Sequence, residues 1–345
     1  MRMNGNKRTT VLREVPSAEA VGMALAHDLT QIIPGQFKGR LFKRGYVITE
    51  ADIPKLLDIG KEHIYVMELG EDELHEDEAA ERMALALAGD GVACSGTHEG
   101  KVTLRSSLDE PGIADIPEEL VHQINSLGEI ALATVRTHAV VGAGQPLAAT
   151  RAIPLVVKRE KVEAVEALAR QWREQHGAAG PIRMRPLRKL RAGLLTTGGE
   201  VFSGRITDKF GPAVKAKLEM LGSEVAEQRF APDDRQVIVN EIHYLLGQGY
   251  DMILITGGMS VDPDDRTPGA IQAAGAEIVS YGTPMLPGSM LLMGYLQGVP
   301  ILGLPGCVMH DPYTSFDVLL LRILAGDTIT KRDIVSMGYG GLHGC

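Results

Sequence analysis

Three glycine-bearing stretches hold the residues with the most chemistry. They are Thr197-Gly198-Gly199-Glu200-Val201-Phe202-Ser203-Gly204, Thr256-Gly257-Gly258-Met259-Ser260, and Pro305-Gly306. Each follows a short aliphatic run and leads toward a segment with helical spacing. Glycine lets a backbone come close to a ligand. The helix that follows offers unpaired N–H groups and the positive end of its dipole. One such loop is common after any strand. Three in one array point to an anionic group bound along a sheet edge.

Carboxylates stand in the same loops: Asp208 after the first, and Asp262, Asp264 and Asp265 after the second. Beside a phosphate they would repel the ligand, unless Mg2+ bridges carboxylate and phosphate oxygens. The alternative for Asp208 and Asp265 is helix capping, since each precedes a helical segment, but the functional reading outweighs it at both; for Asp262 the two readings balance. Cys307 lies between a strand and a helix, with His310 three residues on. A thiolate at a helix N-terminus has a lowered pKa and suits a soft metal, but a structural cysteine is the simpler account. The run Arg183, Arg185, Arg188, Lys189 and Arg191 reads as a solvated linker. His63, His75, His98 and His138 are scattered without ligand spacing, and Cys345 falls in a frayed tail.

The alternation of the chain implies what positions these groups. From Arg191 onward, strands at Ala192–Thr196, Glu224–Gln228, Met252–Thr256, Glu277–Ser280 and Pro300–Leu304 alternate with helices. The helices fall at about Lys209–Leu221, Asp234–Gln248, Thr267–Ala274 and Asp311–Ala325. This is an α/β pattern with a three-layer, mainly parallel sheet covered on both faces. Such sheets bind ligands beyond the carboxyl ends of their strands.

The preceding half is an α+β, β-rich region. Helical spacing covers Ala18–Leu29, and Arg44–Ile48 is strand-like. Thr49 with Asp52 marks a helix running through Leu57, closed by Gly60, before a strand at Ile64–Leu69. The acidic stretch Glu68–Glu81 reads as a solvated helix face. Strands follow at Lys101–Leu104, Ile130–Thr137 and Ala152–Val157, then an amphipathic helix Glu160–His176. Gly, Pro and Ala crowd 177–186. We therefore expect an N-terminal α+β region over 11–90, a β-rich module plus long helix over 91–186, the α/β domain over 191–326, and a tail over 327–345.

Composition narrows the function classes. A net charge of -9 over 345 residues argues against a nucleic-acid scaffold, and a local set of backbone N–H groups still binds phosphate on an acidic protein. Three distant cysteines form neither a disulfide framework nor a zinc spacing, which suggests a reducing cytoplasm. The polar start MRMNGNKRTT lacks a secretory signal, and no apolar run suits a membrane span.

Several motifs together resemble the molybdopterin-binding domain shared by molybdopterin adenylyltransferases and molybdenum insertases, including both halves of gephyrin. They are Thr197-Gly198-Gly199-Glu200, Gly204-Arg205-Ile206-Thr207-Asp208-Lys209-Phe210-Gly211-Pro212, Thr256-Gly257-Gly258-Met259-Ser260-Val261, Asp265-Arg266-Thr267-Pro268 and Leu304-Pro305-Gly306. They run in order across Arg191–Gly326, and Gly39–Leu69 resembles an insertase N-terminal region more weakly. The resemblance implies that Thr256, Gly257, Gly258 and Ser260 hold a pterin phosphate or pyrophosphate. Thr197, Gly198, Gly199, Ser203, Gly204, Met259, Pro305 and Gly306 would complete the binding surface. Glu200 takes the acidic place of the insertase loop, and Asp208 and Asp265 match positions for adenylyl transfer and metal binding. The metal set would be Asp265, Asp262 and Glu200.

The sequence also departs from the insertase pattern. Gly199 stands where an Asp is usual, the third loop reads Pro305-Gly306-Cys307-Val308, and Pro284–Ser289 has no lysine. The resemblance thus implies an enzyme of molybdenum-cofactor biosynthesis that handles molybdopterin or its adenylylated form with Mg2+ and inserts molybdate. Adenylyl transfer from ATP is the alternative, favoured by Asp208 and by Thr267-Pro268. A non-catalytic carrier or sensor delivering cofactor to a client molybdoenzyme is the reading from another class. Members of the family generally self-associate, so a homodimer is implied, with Glu160–His176 and Gly35–Tyr46 as contributors.

Overall fold

The computed structural model describes residues 11–33, 37–260 and 266–344. The chain divides into two compact units, one running up to Glu110 and resuming at Ala114–Met184, the other built on Arg185 onward with Pro111–Ile113.

The second unit carries a six-stranded sheet. Its strands are β1 (Arg191–Thr197), β2 (Glu224–Ala231), β3 (Met252–Thr256), β4 (Glu277–Tyr281), β5 (Leu292–Leu296) and β6 (Val299–Leu304). Their order is β2-β1-β3-β6-β5-β4. The first four in that order run parallel, and β5 is antiparallel to both its neighbours. Helices α1 (Phe210–Glu219), α2 (Arg235–Gly247), α3 (Thr267–Ala273), α4 (Ser315–Leu324) and α5 (Lys331–Ser336) complete the unit.

Alternation along the strands explains the three layers. Successive side chains point to opposite faces. Leu194 and Leu254 join Val214, Leu218, Phe316, Leu319 and Leu320 in one core, under α1 and α4. Leu195, Ile253 and Ile255 join Ile238, Ile242, Leu245 and Ile271 in the other, under α2 and α3. All five residues of β3 are buried, as an inner parallel strand covered on both faces requires. The α/β pattern read from the sequence is therefore the architecture of this unit.

Three local expectations for this unit differ from the structure. Strand β5 has no counterpart in the sequence reading. It pairs with β6 through the two-residue turn Gln297-Gly298, where Leu296 faces Val299 and φ is 51° and 84°. Two positive φ values in succession define the tight turn that matches strand twist, and Gln-Gly is a weak signal for it. Helix α4 begins at Ser315 rather than Asp311, because Thr314 and Asp317 form a capping box. The tail is also less frayed than expected. It contains α5, and Gly341 and His343 exchange backbone hydrogen bonds with Leu286. Cys345 lies outside the described residues.

The first unit holds two hydrophobic clusters. The smaller includes Val15, Leu25, Ile48, Leu56 and Ile64; the larger includes Met83, Leu104, Ile124, Leu147 and Val165. The helix expected over Ala18–Leu29 does not form. A 3-10 turn spans Ser17–Glu19, and Leu29–Ile33 is a strand paired with Phe37–Phe42. The amides of Gly22, Leu25 and Ala26 donate to Ile48, Tyr46 and Tyr65, so long-range pairing outweighs local apolar spacing. The strand expected at Arg44–Ile48 reduces to a bridge between Ala24 and Val47. The Thr49–Asp52 capping box is present and leads into Ile53–Asp58.

The acidic stretch resolves into a strand, Glu73–His75, and a helix, Glu76–Leu87. The helix at Glu118–Asn125 has no counterpart in the sequence reading, and Ala152–Val157 splits into two strands around Pro154, which has no N–H to donate. The long helix runs Arg159–His176, one residue longer than expected. Among the described residues no helix is long and apolar enough to cross a membrane.

His75 gives this unit an acid-sensitive joint. Its ring is 1% exposed. Nδ1 accepts from the Asp77 amide at 3.1 Å, so Nε2 carries the proton and donates to the Ala26 carbonyl at 2.7 Å. Burial pushes its pKa down, and Arg44 adds to this against the opposing Ala26 hydrogen bond and Asp77; His27 lowers it further. A depressed histidine pKa means the stabilising neutral form is fully present above the ordinary value of about 6.5 and is lost as pH falls through the folded value. The expected result is faster amide exchange at Asp77 as pH drops below 6.5, after correction for the intrinsic rate. In His75→Gln that pH dependence should be blunted; unchanged protection down to pH 4 in the native chain would contradict it.

Candidate functional site

Parallel register brings the three glycine loops to one edge. Thr196 on β1 pairs with Thr256 on β3, and Thr256 pairs with Leu304 on β6. The loops therefore leave three adjacent strands at the same level. The connection after β1 leads to β2 on one side, while β3 lies on the other. This is a switch point, where open α/β sheets form a crevice.

Buried hydroxyls join the loop origins. Thr256 Oγ1 donates to Thr196 Oγ1 at 3.2 Å, and Thr197 Oγ1 donates to the Thr256 carbonyl at 3.2 Å. Thr197 Oγ1 also meets Thr267 Oγ1 at 3.0 Å, at the start of α3. All four threonines are buried. The side chains of Thr197 and Thr256 are thus engaged inside the protein and do not face a ligand.

The second loop is the most open to an anion. The amides of Gly257, Gly258, Met259 and Ser260 find no acceptor among the described residues. Gly257 and Gly258 have φ of 89° and 56°, a backbone that side chains resist. Tyr281 Oη fixes the loop from below by donating to the carbonyls of Met259 and Ser260 at 3.1 and 3.3 Å. The Met259 side chain is buried, and its sulfur would lie 2.5 Å from any Cβ placed at Gly303, so it packs rather than binds.

The first loop is held more tightly. The Gly198 amide donates to Ala231, and the Gly199 amide to Asp233 Oδ2 at 2.7 Å. A short helical turn spans Gly199–Phe202; Ser203 Oγ turns back to the Glu200 carbonyl at 3.3 Å, and Gly204 closes the turn onto Val201. The Glu200 side chain is exposed and meets no charged partner among the described residues. Asp208 occupies the capping role. Its Oδ1 accepts from Phe210 N at 2.8 Å, and its Oδ2 from Gly211 N at 3.0 Å and from Gln228 Nε2 at 2.6 Å. The Gly211 amide also lies 3.2 Å from Oδ1, so each carboxylate oxygen meets two donors.

In the third loop, Pro305 is buried and Gly306 opens a 3-10 turn, Gly306–Met309, that contains Cys307. Asp262, Asp264 and Asp265 lie outside the described residues. Among the described residues no group of three metal-ligating side chains assembles.

Several residues escaped the sequence reading. Thr196 and Gln228 sit in the hydroxyl and amide chain, and Asp233 anchors the first loop. Asp233 carried one signal: it precedes Asp234, which alone suffices to cap α2. Arg205, Lys209 and Arg266 are exposed beside the loops and form no ion pair among the described residues. At the opposite edge of the sheet, a hollow of about 410 Å³ is lined by residues including Lys189, Arg191, Glu219 and Glu224. The Arg191–Glu224 pair there satisfies its own charges, and no loop chemistry reaches it.

Comparison with known proteins agrees with this geometry. Residues 193–325 match a family described as "Probable molybdopterin binding domain", which bears out the resemblance seen across Arg191–Gly326. Residues 14–68 match a family described as a domain of unknown function (DUF8806). A CinA-like protein of Mycolicibacterium vanbaalenii is 38% identical over 77 residues, 22% of this chain and 18% of that protein. A CinA-like protein of Mycobacterium sp. (strain JLS) is 33% identical over 90 residues, 26% of this chain and 21% of that protein. The chain thus spans about a fifth of the length of these relatives.

Among solved structures, the molybdopterin biosynthesis enzyme MoaB of Thermus thermophilus is similar at 25% identity and a TM-score of 0.34, covering 40% of this chain and 98% of that one. The protein CinA of Thermoplasma acidophilum, of unknown function, is similar at 17% identity and a TM-score of 0.31, covering 34% and 89%. The C-terminal unit of this chain carries a molybdopterin-binding-type domain.

Proposed function

We propose that this chain binds the phosphate-bearing pterin of the molybdenum cofactor at the carboxyl edge of β1, β3 and β6, and acts in the biosynthesis of that cofactor. The observation that carries this reading is the row of four amides at Gly257–Ser260 without an acceptor among the described residues, set beside two further glycine loops at a switch point. Backbone N–H groups in such a row suit a phosphate. The exposed cations Arg205, Lys209 and Arg266 add charge of the right sign.

In its finer form the proposal is a transferase that inserts molybdate into molybdopterin or adenylyl-molybdopterin with Mg2+. Hard carboxylate oxygens suit Mg2+, which is commonly bound by one or two carboxylates plus substrate phosphates rather than by an all-protein cage. The exposed Glu200 fits that mode, and Asp262 and Asp265 are the further candidates from sequence. When bound, Mg2+ would neutralise phosphate charge. Adenylyl transfer from ATP is the second reading, favoured by the closely built Asp208–Gly211 corner. A Cβ at Gly211 would lie 2.5 Å from the Asp208 carboxylate. A homodimer, a cytoplasmic setting and a client molybdoenzyme belong to the same proposal.

The test is to incubate the purified chain with molybdopterin, adenylyl-molybdopterin, ATP, Mg2+ and molybdate, separately and together. Molybdopterin binding is expected in every arm that contains it. Release of AMP from adenylyl-molybdopterin on adding molybdate would mark insertion, and formation of adenylyl-molybdopterin would mark the transferase alternative. Tight binding without turnover would mark a carrier. Absence of molybdopterin binding would overturn the proposal.

A further inference from the structure

Gln228 lies on β2, two residues before Phe230, and among the described residues its side chain makes no hydrogen bond to the three glycine loops. Its Nε2 amide donates to Thr196 Oγ1 at 3.0 Å and to Asp208 Oδ2 at 2.6 Å. The orientation of the amide is fixed by chemistry. A carboxylate only accepts, so the NH2 end must face Asp208. Both N–H bonds are then used. Thr196 in turn accepts from Thr256, the residue before Gly257. One unbroken chain therefore runs from Asp208 through Gln228, Thr196 and Thr256 to the second loop.

We propose that Gln228 is a positioning residue, which aims the Asp208 carboxylate and holds it in register with the anion seat at Gly257–Ser260. The inference rests on the reading of this edge as a phosphate-bearing pterin site. The Asp208 carboxylate accepts from the Phe210 amide, from the Gly211 amide shared between both oxygens, and from Gln228 on Oδ2. The two amides belong to the chain's own turn and would follow the carboxylate if it rotated. Gln228 is the donor from a different element, so it sets the direction in which the carboxylate faces. Packing leaves no slack. A Cβ at Gly211 would lie 2.5 Å from Asp208 Oδ2 and from both Gln228 amide atoms.

The experiment compares the native chain with Gln228→Leu and Gln228→Glu, by calorimetry with molybdopterin and by amide exchange without it. Gln228→Leu removes both donors at nearly constant volume. Its Phe210 and Gly211 amides should exchange at least tenfold faster, and its molybdopterin affinity should fall at least tenfold. Gln228→Glu should bind near native strength around pH 4, where the new carboxyl is protonated and donates, and lose affinity as pH rises and two carboxylates face each other.

Native exchange rates or native affinity in Gln228→Leu would overturn the inference. If Gln228→Leu fails to fold, the pH profile of Gln228→Glu decides, and an affinity ratio to the native chain that is independent of pH overturns it. Should the native chain bind no molybdopterin, the site reading fails. The exchange arm then still reports whether Gln228 holds Asp208.

Discussion

Gly257→Ala is expected to cost the C-terminal unit about 3 kcal/mol, from roughly 1–2 kcal/mol for a left-handed side-chain residue plus a steric term. It should also lower molybdopterin affinity at least a hundredfold. A Cβ at this position would lie 2.2 Å from the Thr197 carbonyl oxygen and 2.8 Å from Thr197 Oγ1. The carbonyl belongs to the neighbouring strand and cannot yield, so the loop itself must move. Its φ of 89° adds strain that any side chain would feel. Displacing the loop scatters the four amides of the proposed anion seat. Gly258 is less tightly enclosed, with Thr267 Oγ1 at 2.7 Å from its ideal Cβ, and Gly258→Ala should show the same loss of affinity with a smaller loss of stability. Urea unfolding and calorimetry measure the two effects, and native affinity in Gly257→Ala would remove this loop from the site.

The largest effect on stability alone should come from Phe316→Ala, about 3–5 kcal/mol. Phe316 is fully buried in the core beneath α1 and α4, among Leu194, Leu254, Leu302 and Leu320. Removing the ring leaves a cavity walled by strand residues that are fixed by their ladder bonds, so collapse around it is limited. Phe316 is also the second residue of α4, just after the Thr314 cap that ends the third loop. The transition of the C-terminal unit in urea should shift to lower concentration by that amount. A shift worth less than about 1 kcal/mol would mean that the core repacks freely.

The α/β unit was legible in the sequence because two signals agreed. Aliphatic runs such as Met252–Thr256 are too short for helices and too continuous for a half-exposed strand, and each ended in glycine. The glycine loops were visible for the same reason. Their support was not. Gln228 and Thr196 are ordinary strand residues, and their pairing depends on β1 and β2 lying side by side with Thr196 opposite Phe230. No local pattern encodes that. Ala18–Leu29 failed in the opposite way. Its apolar spacing is helical, but Leu25 and Ala26 find their partners at Tyr46 and Tyr65, far along the chain. Strand β5 stayed hidden because one tight turn of weak signal, Gln297-Gly298, separates it from β6.

The hydroxyl contacts that join the loop origins lie within strands and at the first turn of α3, not in the loops themselves. For evolution this separates two kinds of change. Residues between the strand end and the next helix are free to drift toward another oxyanion or another ring system, because the distance between loop origins is inherited from the sheet. A change at Thr196, Thr197 or Thr256 instead alters that distance for every loop at once. Cys307, in the turn that opens the third loop, falls among positions of the first kind.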